Sequence, residues 1–219
     1  MAENKIKIST IFDGIAIPII LALLIYVFAV YLNVGGTYHV LGADNIIAII
    51  LVSGFAQMIV LGVPLILGLL WNKWAGGAAG FIMGGMYYVA SAGQYTSLYA
   101  TYSSGAVNYN FFGDVSMLFY LVNGVVIGYM AGALNNGSSN FKRLLGAGLT
   151  ASLITAVIQA YVNYFVSLEP SRMMAQSMWL DPGYAIVLNF VPSIALGVIV
   201  PILAKVMTWY GLQPMKHQY

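Results

Sequence analysis

The residues of this chain best equipped for chemistry are uncharged. Tyr88, Gln94, Tyr95, Asn123, Asn163 and Asn189 are phenols and amides set inside long apolar runs, with Gln57, Tyr87, Ser91, Tyr120 and Gln159 beside them. An amide in hydrocarbon costs roughly 2–7 kcal/mol unless it finds a hydrogen-bonding partner. For any one of these residues, a bond to a neighbouring helix is a sufficient account. As a set they gather toward one side of the apolar runs, which packing alone explains less well. Tyr120 and Asn123 are three apart and Gln159 and Asn163 four apart, so each pair shares a helical face. Aromatic walls with a few oriented amides are the ordinary make-up of a small-molecule site.

Other chemistries lack their residues. No apolar run has a charged residue at its centre, which weighs against proton pumps and voltage sensors. Asp114 and Glu169 read as helix-end residues rather than catalytic carboxylates. Cysteine is absent, and the two histidines, His39 and His217, are too far apart in sequence for a metal cluster. No Gly-Lys-Ser or Gly-Lys-Thr is present, so the chain carries no Walker A site, and no serine–histidine–acid set can be placed at one depth. Asn136-Gly137-Ser138 matches a glycosylation acceptor but falls on the side read below as cytoplasmic. The net charge of +2 is spread thinly and offers no nucleic-acid patch. We expect no enzyme activity, no cofactor and no metal.

The elements that must position these groups are transmembrane helices. The chain is 61% hydrophobic and 6% charged, with a mean hydropathy of +0.87, where a soluble domain carries about 25% charge. A span needs about 20 mainly apolar residues. Six stretches qualify, at about 15–32, 45–70, 75–95, 114–134, 144–168 and 184–210. We expect one all-α integral membrane domain over residues 1–219. The first stretch lacks a cleavage site and reads as a retained helix. The second carries Gly54, Gln57 and Pro64, which predict a kink or tilt. Of the eight Lys and Arg, all but Arg172 fall on one side of a six-helix arrangement. The positive-inside rule then makes both termini cytoplasmic, in a multi-pass protein of the cell membrane.

The third stretch organises the rest. Trp71-Asn72-Lys73-Trp74 suits a membrane–water interface, and Gly76, Gly80 and Gly84 follow as a double GxxxG. Gly124, Gly128 and Gly132 repeat the pattern in the fourth. Two helices with such faces can pack on each other, or one face can dock a partner. Outside, the loops at 33–44 and 96–113 hold Tyr38, His39 and Tyr102 among many aromatic residues. They fit a lid over a pocket, and equally an interfacial aromatic belt.

Six helices with both ends inside, the run LGLLWNKWAGGAAGFIMGG from the second helix into the third, and the last helix YAIVLNFVPSIALGVIVPILAKVM together resemble the S-component of an energy-coupling factor transporter. The alanine-x-x-x-alanine step of that family's first helix has no counterpart, since Ala16, Ala22 and Ala29 are six and seven apart. The resemblance implies a substrate pocket near the extracellular face. It also implies partners in the form of a coupling membrane subunit and separate ATPase subunits. The resulting expectation is a substrate-binding subunit for uptake of a small, vitamin-like solute. Tyr88, Gln94, Tyr95, Asn123, Asn163 and Asn189 would line the pocket, and Tyr38, His39 and Tyr102 would form the lid. The alternative is a structural or accessory subunit of a larger membrane complex with no ligand of its own.

Overall fold

The computed structural model describes residues 46–102, 111–166 and 182–211. Among these residues there are five long helices and no strand: α1 (Ile46–Leu70), α2 (Lys73–Tyr102), α3 (Val115–Asn135), α4 (Phe141–Phe165) and α5 (Pro182–Trp209), with a 3-10 turn at Phe111–Gly113. The stretches Val115–Asn135, Phe141–Val162 and Phe190–Trp209 are each long and apolar enough to cross a membrane, as befits a membrane protein. The expected helix at 15–32 and the loop at 33–44, with Tyr38 and His39, lie outside the described residues.

Short polar side chains set the helix ends. Asn72 Oδ1 accepts from the backbone N–H groups of Trp74 and Ala75, both at 2.9 Å, so α2 starts directly after α1 stops. Asp114 caps α3 by accepting from Ser116 N–H at 2.9 Å, and Asn140 caps α4 by accepting from Lys142 N–H at 3.0 Å. Each satisfies an N–H that the first turn leaves open. α3 ends where Asn136 turns left-handed, at φ 48°, a conformation that asparagine tolerates better than most residues. α2 runs past its expected end at 95. Residues 96–102 look loop-like in composition, but they contain neither glycine nor proline to interrupt helical bonding. Tyr102 therefore sits on helical backbone rather than in a loop.

The largest interfaces join α2 to α3 and α4 to α5, while α1 touches all four other helices. The α2–α3 interface is built from the two glycine series. A Cβ at Gly80 would collide with the carbonyl of Gly124, one at Gly128 with the carbonyl of Gly76, and one at Gly84 would stand 2.6 Å from Leu121 Cα. As the numbers rise on α2 they fall on α3, so the two helices are antiparallel. The two glycine faces thus occupy each other, and neither is left to dock a partner. Gly68 of α1 enters the same junction, since a Cβ at Gly76 would lie 2.7 Å from Gly68 Cα. Three backbones meet where no side chain fits, which maximises van der Waals contact where lipid removes the usual hydrophobic drive. The α4–α5 pair is also antiparallel. Gly148 faces Pro201 and Gly197 faces Leu149.

Cationic groups collect at one end of the bundle. Lys73 Nζ stands 5.6 Å from the Trp74 ring and 5.8 Å from that of Tyr129. Lys205 Nζ donates to Ser139 O at 2.9 Å, and Arg143 Nε donates to Leu134 O at 3.2 Å. Asp114 caps the other end of α3. The apolar core, including Leu65, Leu69, Ile127, Leu144, Ala151 and Val200, fills the half nearer the basic end.

Asn135 fastens that end. Fully buried, it donates from Nδ2 to Leu69 O at 2.7 Å and to Ser138 O at 3.0 Å. Leu69 O belongs to the last turn of α1, where carbonyls lack helical partners. Asn135→Ala should cost about 1–3 kcal/mol in thermal or denaturant unfolding, and Asn135→Asp more, because a carboxylate would face two acceptors. Wild-type stability in both variants would rule out this clamp.

Candidate functional site

The polar groups converge between α1, α3, α4 and α5, from mid-depth at Ser152 to Gln159 in the half of the bundle away from the basic end. Asn123 Nδ2 donates to Gln159 Oε1, joining α3 to α4. Both side chains are buried. Two small cavities flank this pair. The first is lined by Val60, Leu61, Tyr87 and Tyr120 besides the two amides, and leaves about 10 Å³ open to the centre of a water-sized group. The second, of about 20 Å³ by the same measure, is bordered by Ser152, Thr155, Ser193 and apolar side chains as well as the two amides. Each has room for about one water.

Tyr87 and Tyr120 meet at 4.8 Å between ring centroids and roof the first cavity from α2 and α3. Thr155 turns its hydroxyl back to Ala151 O within α4. Asn123 Oδ1 and the Ser152 hydroxyl are buried with no hydrogen-bond partner among the described residues. Among the described residues no ionised side chain borders either cavity, and the polarity there is held in oriented dipoles.

Of the six residues expected to line the pocket, Asn123 is in this cluster. Tyr88 is on the neighbouring face of α2. There it packs with Ala92, Met117 and Tyr120 and sits edge-on to Phe112 at 6.4 Å. Consecutive helical residues point about 100° apart, so Tyr87 turns into the crevice and Tyr88 does not. Gln94 and Tyr95 lie on the backbone of α2, Asn163 on α4 and Asn189 on α5. Their side chains, like that of Tyr102, are outside the described part of the structure. In register, Asn163 follows Gln159 by one turn and Asn189 precedes Ser193 by one turn, so both belong to the faces that carry the cluster.

Gln159 anchors the site, and Ser152, Thr155 and Ser193 complete it, although none of the four is among the six residues singled out from sequence. A signal exists for the three on α4. Ser152, Thr155, Gln159 and Asn163 recur at spacings of three and four, a polar stripe along the apolar outer half of α4, while Ser193 on α5 has no such signal. No protein-family model, curated protein or solved structure matches this chain.

Proposed function

We propose that the chain is a six-helix, multi-pass protein of the cell membrane, with both termini cytoplasmic, that binds a small uncharged solute from outside and serves its uptake. The observation that carries this reading is the neutral polar floor formed by Asn123 and Gln159 with Ser152, Thr155 and Ser193, which starts at mid-depth and extends away from the basic end. By the positive-inside rule the cationic end is cytoplasmic, so this floor faces the outer leaflet. Asn163 and Asn189 extend the polar faces one turn further out, toward the loops that would cover a bound solute. The role is that of an S-component, which the sequence resembles, with energy supplied by a coupling membrane subunit and separate ATPase subunits. A cavity for one water at the floor is too small for a whole solute. The body of the ligand would lie above it, among Gln94, Tyr95, Asn163 and Asn189.

A thermal-shift screen of the detergent-purified protein against water-soluble vitamins, nucleobases and amino acids tests the reading. A ligand at 100 times its Kd adds about 2.7 kcal/mol of stability. The expected result is a hit that Asn163→Ala or Tyr95→Ala abolishes and that high salt barely weakens, since the site is uncharged. A flat screen, with stoichiometric neighbours in a native pull-down, would replace solute binding with the accessory-subunit role.

A further inference from the structure

The second cavity holds an unbalanced hydrogen-bonding account. Asn123 is 2% exposed and Ser152 fully buried, yet Asn123 Oδ1 and Ser152 Oγ have no partner among the described residues. Asn123 spends one of its two amide N–H groups on Gln159, and its carbonyl oxygen can only accept. A helical hydroxyl ordinarily returns its proton to the carbonyl four residues back. Thr155 does so onto Ala151, one turn away, and Ser152 does not. Both residues line one cavity, contributed by α3 and α4, with Ser193 of α5 beside them.

We propose that this cavity is a seat for one uncharged, water-sized hydrogen-bond donor that bridges Asn123 Oδ1 and Ser152 Oγ and so ties α3 to α4. Its size admits a single O–H or N–H group. Its chemistry requires a donor, because Asn123 Oδ1 can only accept. A bare cation would be held there by carbonyl and hydroxyl dipoles alone, with no countercharge among the described residues, at a heavy desolvation cost. Two sources supply such a donor: an internal water, or the terminal O–H or N–H of a bound solute. The second source rests on the solute-binding reading above, and the first does not.

The test is thermal unfolding of the full-length, detergent-purified protein and its Ser152→Ala variant, in sodium chloride and in choline chloride, with and without uracil and 1,3-dimethyluracil as donor and donor-blocked probes. Ser152→Ala should lower Tm by about 2–4 °C, the scale of one lost hydrogen bond in a chain of this size. If water is the guest, neither probe changes Tm. If a solute group is the guest, uracil raises the wild-type Tm, 1,3-dimethyluracil does not, and Ser152→Ala removes the effect. A raised or unchanged Tm in Ser152→Ala would overturn the proposal, because a stranded or back-bonded hydroxyl gains or loses nothing when removed. A sodium-specific rise in Tm that Ser152→Ala abolishes would overturn it in favour of a cation. The unmutated protein provides a second readout. In a map that resolves water, density within hydrogen-bond distance of both oxygens is expected, and a dry cavity there sinks the idea even if the variant fails to fold.

Discussion

Gly80→Ala should be among the most damaging single methyl groups that can be added to this protein. A Cβ at position 80 would enter the carbonyl of Gly124 and come within 2.6 Å of Val125 N, and both obstacles are helix backbone. A flexible side chain could swing aside, but a backbone can yield only if α2 and α3 separate along their length. Separation would also open the contacts of Gly76 with Gly128 and Gly68, which lie one turn along the same seam. The expected cost is about 3 kcal/mol, the upper range for overpacking, and less folded protein recovered from membranes. Gly128→Ala should behave alike for the same reason. Gly146→Ala is the internal control. It is helical too, but nothing lies within 4 Å of its added Cβ, so the methyl should be neutral or stabilise by up to about 1 kcal/mol through helix propensity. Thermal unfolding of the three variants side by side decides the matter. Equal stability of Gly80→Ala and Gly146→Ala would show that the glycine seam is not a close backbone contact.

Asn123→Leu should be the most damaging change at the polar site, and Gln159→Leu should partly rescue it. The single substitution removes the donor to Gln159 and leaves a buried carboxamide short of a partner, at about 1–3 kcal/mol. Replacing both amides takes the unsatisfied group away with its partner, so the double variant should be more stable than the sum of the singles. Interhelical bonds of this kind in membranes average about 0.6 kcal/mol and reach about 1.7, which bounds the coupling expected from the double-mutant cycle. Strict additivity would mean that the two amides do not interact. The double variant also separates stability from binding. If the Asn123–Gln159 floor receives a solute, a bundle restored by two leucines should still give no shift with any hit from the ligand screen.

The amino-acid sequence by itself determined the secondary structure to a useful degree. Low charge and long apolar runs leave helices as the economical way to satisfy backbone groups, and among the described residues all regular structure is helical, with three stretches long and apolar enough to span a membrane. The GxxxG spacings were also legible, because a period of four on a helix makes a face whatever lies opposite. The end of α2 was not, since residues 96–102 have the composition of a loop while lacking any residue that stops a helix. What the faces meet was decided only by tertiary structure. Spacing shows that Gly76 and Gly80 are smooth but not that Gly124 and Gly128 fill them, nor that Gly68 completes the junction from a helix without the motif. In the same way, Asn123 is visible in sequence as an amide needing a partner, but its partner lies 36 residues away on α4. That Tyr87 rather than Tyr88 faces the crevice depends on the rotation of α2 about its axis, which close glycine packing sets. Local pattern fixes which residues share a face. The approach of one backbone to another fixes which faces become a site.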